Sequence, residues 1–115
     1  MDFGAIRTAN LAAATTSTGR SSNFGCKGYT TLLLDLDISS TAVVAYEATG
    51  EGGTFKGIVG TNVNGATASS TAATSTLARF NITGMDAFRI NVVSLSVGNV
   101  TANVTAMAGG TTVTT

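Results

Sequence analysis

The sequence contains no histidine, no tryptophan and no proline, and it has a single cysteine, Cys26. Without histidine the chain cannot form a Ser-His or Cys-His nucleophile pair, and it has no imidazole to serve as a general base. A lone cysteine also excludes a disulfide within the chain. These absences predict a protein that is not an enzyme and has no catalytic residue.

Charge is scarce as well. Charged residues make up 10% of the chain, with six basic and six acidic side chains and a formal net charge of zero, against a usual charged share of about 25%. Nucleic-acid binding needs clustered lysine and arginine, and the six basic residues here are scattered. No segment approaches the ~20 apolar residues of a membrane span, and residues 1–20 lack the basic and apolar regions of a signal peptide. We therefore expect no nucleic acid and no membrane partner, and synthesis in the cytoplasm.

What the chain does contain is alternation of apolar and polar residues with a period of two. The segment Tyr29–Ala48 predicts two strands joined at Ser39-Ser40, and Val100–Met107 has the most regular alternation. Glycine-rich turns separate such segments, and no stretch has helical periodicity. The pattern predicts an all-β fold, an antiparallel β-sandwich or jelly roll of about seven or eight strands with an extended N-terminal arm. The expected core residues are Leu32, Leu34, Leu36, Val44, Tyr46, Phe55, Phe80, Ile82, Phe88, Ile90, Val92, Val100 and Val104.

The composition divides the chain into three parts: an N-terminal arm and entry strand at 1–28, the β-sandwich at 29–109 and a C-terminal tail at 110–115. The arm is rich in small polar residues, and we expect it to lie on a sheet of its own domain or on another subunit. Thr54–Val59 is expected as a return strand after the hairpin at Thr49–Gly53. The segment Gly60–Ser75 is unusually long for a loop, and such loops are often binding elements.

Three acidic residues and the cysteine are the remaining candidates for chemistry. Asp35 and Asp37 share a strand face, and Glu47 on a neighbouring strand would complete a carboxylate pair for glycoside hydrolysis or a calcium site. A solvated outer sheet face is the favoured interpretation, so no metal or cofactor is expected. Cys26 lies beside Lys27, which lowers a thiol pKa where the two are in contact, but a lone cysteine is more often a small buried filler.

Four stretches together resemble a family of small β-sandwich proteins encoded by tailed bacteriophages: GYTTLLLDLDISS, TAVVAYEATGEGGTF, MDAFRINVVS and VGNVTANVTAMAG. The resemblance covers about residues 5–109. The chain departs from the family at the hairpin tip, where it has Glu51 and glycines in place of aspartate-glycine and an aromatic residue.

The resemblance implies a structural protein of the virion. The expected role is that of a capsid decoration (cement) protein, which binds the outer surface of the major capsid protein lattice as a homotrimer and stabilises the head. The alternative is a receptor- or carbohydrate-binding module of the phage tail or baseplate. A threefold ring uses a heterologous contact, so each copy must present two different patches. The expected interface residues are apolar residues outside the core: Phe3, Ile6, Leu33, Val93 and Met107.

Overall fold

The computed structural model describes residues 6–39, 41–63 and 68–108, and these contain no helix, hence none that could cross a membrane. All of the strand pairs among these residues are antiparallel. The predicted all-β fold is therefore confirmed. Twelve strands are described: β1 Ile6–Thr15, β2 Gly19–Arg20, β3 Phe24–Gly25, β4 Thr31–Ile38, β5 Thr41–Thr49, β6 Lys56–Gly57, β7 Gly60–Asn62, β8 Ala68–Ser69, β9 Thr71–Ala72, β10 Thr76–Asn81, β11 Ala87–Val97 and β12 Val100–Met107.

The strands form two sheets. The first sheet has the order β1-β12-β4-β10-β7-β8, and the second has the order β2-β11-β5-β6, with β3 also on β11 and β9 also on β5. The strands β4 and β5 follow each other in the chain but belong to different sheets. The chain therefore crosses from one sheet to the other between Ile38 and Thr41.

The core lies between the sheets and is formed by alternate residues of the long strands. In β4, Leu32, Leu34 and Leu36 are fully buried while Asp35 and Asp37 are exposed. The Phe80 ring lies 4.9 Å from Tyr46 in an edge-to-face contact and 5.1 Å from Phe88. Such aromatic pairs add about 0.5–1.5 kcal/mol each beyond their buried area.

Phe55 is the one predicted core residue that is not buried in the core. It is half-buried, and its ring lies 3.7 Å from the guanidinium carbon of Arg89 on the outer side of the second sheet. The predicted return strand Thr54–Val59 is also shorter than expected, because within that segment only Lys56 and Gly57, the strand β6, pair with β5. Ile58 still packs against the core.

The predicted arm forms the edge strand of the first sheet. The strand β1 pairs with β12 from Ile6 to Thr15, and Leu11 and Ala12 on it are buried. The arm therefore lies on its own domain, which is one of the two placements left open by the sequence. The tail at 110–115 lies outside the described residues.

The sheet edges in the described part of the chain are short or distorted. The flanking strands β2, β3, β6, β8 and β9 have two residues each. The longer edge strand β1 has two register shifts, and Arg7 on it turns its side chain inward, 4.6 Å from the Phe24 ring. Bulges, short edge strands and inward charges all prevent another chain from adding a strand.

Candidate interaction surfaces

The three acidic candidates do not come together. Asp35 and Asp37 lie on the outer face of the first sheet, whereas Glu47 lies on the outer face of the second sheet. The described residues contain no group of three His, Cys, Asp or Glu side chains that could hold a metal ion. The alternative that joined Glu47 to the two aspartates is therefore wrong, because the crossover after β4 puts the sandwich between them.

Glu47 instead anchors a cluster on the outer face of the second sheet. Arg89 Nε donates to Glu47 Oε1 at 2.7 Å, and Asn91 Nδ2 donates to the other carboxylate oxygen at 3.4 Å. Arg20 Nε lies 3.8 Å from Oε1, and the Phe55 ring stacks on Arg89. Both carboxylate oxygens accept a hydrogen bond, so Glu47 ties β2, β5 and β11 together.

Cys26 is a buried, free thiol. Its side chain has no exposed surface, and Sγ is 3.6 Å from the Phe24 carbonyl oxygen. Burial raises the pKa of the thiol to about 11, and the nearby carboxylate of Asp86 also raises it, while Arg7 lowers it. Lys27 lies 3.6 Å from that same carboxylate. Because Cys26 has no exposed surface, the expectation that it is a small buried filler is confirmed. The raised pKa keeps the thiol protonated at neutral pH, and the thiolate is the reactive form.

The expected interface residues separate into two places. Ile6 lies directly opposite Met107, and Leu33 lies opposite the residue two before Met107. These three side chains therefore share the outer face of the first sheet, and we call them the first-sheet patch. Ile6 is 67% exposed, while Leu33 and Met107 are half-buried. Phe3 lies outside the described residues.

Val93 belongs to the second sheet. It is 55% exposed at a register shift in β11, and Val97, farther along the same strand, is 67% exposed. We call this pair the second-sheet patch. The sequence pattern did not single out Val97, because two bulges in β11 change which of its residues face outward. The described residues thus expose apolar side chains on the outer faces of both sheets.

Two cavities lie between the sheets at opposite sides of the sandwich. The arm cavity has a volume of about 260 Å³ and lies between β1, β2 and β11. Its lining residues are Leu11, Ala12, Thr15, Ser17, Thr18, Gly19, Arg20, Ser21, Ser22, Ile90 and Val92. The loop cavity, of about 180 Å³, lies under the long predicted loop and is lined by Tyr46, Gly60, Asn62, Ser69, Thr71, Ala72, Ala73, Thr74, Thr76 and Ala78. Hydroxyl groups dominate the polar lining of both.

Comparisons with known proteins identify one family and two similar folds. The model of the family XepA matches residues 7–106. The structure of the SPBc2 prophage-derived protein YomS is similar with a TM-score of 0.86 and 21% identity, over 94% of this chain and 97% of that one. The structure of the PBSX exported protein XepA is similar with a TM-score of 0.78 and 18% identity, over 94% of this chain. This chain spans 40% of that XepA chain. No curated protein matches the sequence.

At these identities the two structures show a shared fold. The capsid role stays a prediction.

Proposed function

This chain belongs to the XepA family, and from this we propose that it is a structural protein of a phage particle without catalytic activity. The phage-derived proteins among its structural neighbours support a phage role. The absence of histidine from the sequence and the engaged Glu47 carboxylate support a role that does not include catalysis.

The finer proposal is decoration of the capsid. In it, the protein binds the outer surface of the major capsid protein lattice as a homotrimer and stabilises the head. The observation that carries this proposal is the pair of unlike apolar patches on opposite faces of the sandwich. A heterologous contact joins two unlike patches of neighbouring copies, and it closes into a trimer when each contact turns the next copy by about 120°. The low charge of the chain also favours close packing in a lattice, since net charge keeps proteins apart.

The sheet edges favour the same kind of contact. Because the edges are short or distorted, the chain is poorly suited to bind a partner by strand addition. Its apolar faces are the remaining surface for a stable contact, which needs about 1,000 Å² of total buried area. Burying one exposed isoleucine or valine side chain contributes about 1.5–3 kcal/mol.

The test uses point variants, because β1 contributes Leu11 and Ala12 to the core and its deletion would damage the fold. Ile6→Ser changes the first-sheet patch and Val97→Ser changes the second-sheet patch. Each is expected to weaken trimer formation and capsid binding about tenfold or more, as follows from the loss of one buried apolar side chain. Val59→Ser is the matched control, since this valine is 60% exposed and lies outside both patches.

Trimer formation is measured by sedimentation, and capsid binding by cosedimentation with particles that lack the protein. A wild-type protein that stays monomeric and does not bind capsids would overturn the decoration proposal. Density for the protein on the tail in a cryo-EM map of the particle would replace it with the tail or baseplate module. Hydrolysis of a substrate by the purified protein would overturn the proposal that it is not an enzyme.

A further inference from the structure

The outer face of the second sheet carries more positive charge than its own acidic residue neutralises. Arg20 and Arg89 both direct Nε at the same oxygen, Glu47 Oε1, at 3.8 and 2.7 Å. Within the described part of the chain, neither arginine forms an ion pair with any other acidic side chain. Arginine does not lose its proton in proteins. Two guanidinium groups and one carboxylate therefore leave one unit of positive charge on this face.

The chain itself does not supply the missing negative charge at this place. Arg89 lies directly opposite Glu47 in the ladder between β11 and β5, and Arg20 lies opposite the next outward residue of β11. Asp35 and Asp37 are exposed and form no ion pair among the described residues, but they lie on the outer face of the other sheet. The free charge on the second sheet is thus open to a partner.

Arg89 is held rigidly in this cluster. Its side chain is 19% exposed, its Nε–H donates to Glu47 Oε1, and the Phe55 ring lies 3.7 Å from its guanidinium carbon. The Nε–H is the only one of its donors that has an acceptor among the described residues. Every fully enclosed side-chain nitrogen or oxygen there has a partner, so the terminal nitrogens of Arg89 keep access to solvent. Such a fixed donor loses little side-chain entropy when it binds a ligand.

Arg20 provides a second, more mobile set of donors beside Arg89. Its side chain is 60% exposed, and its distance of 3.8 Å from Glu47 Oε1 is too long for a hydrogen bond. A guanidinium group presents a planar fork of N–H donors, and a carboxylate accepts two of them in parallel. The pair of arginines therefore fits an incoming carboxylate.

The residual charge favours a carboxylate over a phosphate group. One carboxylate carries a single negative charge, which equals the positive charge that Glu47 leaves over. A phosphate monoester carries about −1.5 to −2 at neutral pH. It would bring surplus negative charge close to Glu47, and like charges at short distance repel.

An apolar contact lies farther along the same strand. Val93 follows Arg89 by four residues in β11 and is 55% exposed. Four residues of a strand span about 13 Å, which is also the span of four residues in an extended ligand. An acidic side chain on the arginines therefore places the ligand's apolar side chain four positions away over Val93.

We propose that Arg20 and Arg89 bind the carboxylate of an extended acidic segment of a partner protein, and that an apolar residue four positions from the acid packs on Val93. Arginine and aromatic residues are enriched among the residues that dominate binding energy at protein contacts. The site needs no particular place on the phage particle, so it does not depend on the capsid role.

The experiment is a titration of the isotopically labelled full chain with short peptides, followed by the amide and arginine Nε–H chemical shifts. The probe is the acetylated and amidated peptide EGSGL, and QGSGL is its uncharged control. EGSGL is expected to shift the Nε–H signals of Arg20 and Arg89 saturably, with a dissociation constant of about 1–20 mM at low salt. QGSGL is expected to bind about tenfold more weakly, because it lacks the charge-assisted hydrogen bonds.

The arginine variants separate this site from a general effect of charge. Arg20→Gln is expected to weaken EGSGL binding about three- to tenfold, and the exposure of the side chain favours normal folding. Arg79→Gln is the matched control, since this arginine is exposed on the outer face of the first sheet, opposite Leu33. It removes the same charge and is expected to leave the affinity unchanged.

Glu47→Gln distinguishes a binding site from a purely structural cluster. It removes the carboxylate that competes with the ligand, so EGSGL binding is expected to become about threefold tighter or more, although the fold loses an ion pair. A purely structural cluster would not gain affinity. Val93→Ser is expected to weaken the binding of EGSGL but not that of EGSGG, which has no apolar side chain to place there.

Four results would overturn the proposal. They are equal binding of EGSGL and QGSGL, equal losses in Arg20→Gln and Arg79→Gln, weaker binding in Glu47→Gln, and tighter binding of inorganic phosphate than of EGSGL. Tighter EGSGL binding in a variant with both Asp35→Asn and Asp37→Asn would assign the site to a second copy of the chain instead, since those carboxylates would then be competing for it. The capsid test uses Ile6→Ser and Val97→Ser, so the two proposals can fail separately.

Discussion

Alkaline pH is expected to destabilise the protein through Cys26. The thiol pKa is 9.0 in a model compound and about 11 in the folded chain, chiefly because the group is buried. The folded state therefore favours the protonated thiol, and this stabilisation is fully present below pH 9 and is lost as the pH rises through about 11. At pH 10 most unfolded chains have lost the thiol proton while most folded chains keep it. The free energy of unfolding should then be about 1.4 kcal/mol lower than at pH 7, and about 2.7 kcal/mol lower well above pH 11.

The assay is urea unfolding of the wild type and of Cys26→Ala at pH 7, 8, 9 and 10. The alanine variant starts from a lower stability because it leaves a small cavity, but it has no thiol to titrate. The wild type should therefore lose about 1.4 kcal/mol more than the variant between pH 7 and pH 10. Burial also raises the pKa of Tyr46, and this contribution is common to both proteins and cancels. Parallel losses in the two proteins would refute the reasoning.

Two substitutions test contacts that hold the fold together. Gly60→Ala would place a Cβ 2.5 Å from the buried Phe80 ring, so urea unfolding should show a loss of about 1–3 kcal/mol in the free energy of unfolding. In the control Gly57→Ala the nearest neighbour of the new Cβ would be 4.0 Å away, and stability should change by less than about 0.5 kcal/mol. Equal effects of the two substitutions would contradict the predicted clash with Phe80. Glu47→Gln removes the charge that pairs with a largely buried arginine and should cost about 1–3 kcal/mol, whereas the same change at the exposed Glu51 should have no measurable effect on the urea midpoint.

The sequence predicts the long strands well because alternation is a local property. The buried and exposed residues of β4 follow the expected phase, and β12 has the predicted bounds Val100–Met107. Short strands carry no such signal. The two-residue strands β2 and β3 form by pairing with β11, and their own sequence does not mark them.

Relations between strands are also invisible in a local pattern. Nothing in the alternation says that β4 and β5 belong to different sheets, so the position of Glu47 relative to Asp35 could not be predicted. Phe55 has the character of a core residue, but Arg89 on the outer face of the second sheet provides an alternative aromatic contact. The loop cavity is lined by residues of several strands and of the segment Gly60–Ser75. The sequence identifies that segment as a long loop but does not show which strands lie beside it.

The edges of the two sheets affect whether folded copies of the chain can add to one another strand by strand. They combine the Arg7 side chain beside Phe24, the bulges of β1 and β11 and the two-residue flanking strands. The chain has no net charge and no proline, and its strands are rich in threonine, valine and alanine, which are features of segments that form cross-β fibrils. Growth of a cross-β fibril requires a long, regular ribbon edge on which each arriving molecule can template the next. The described residues of the folded protein offer no such edge, so templated growth of a cross-β fibril from the folded state is disfavoured.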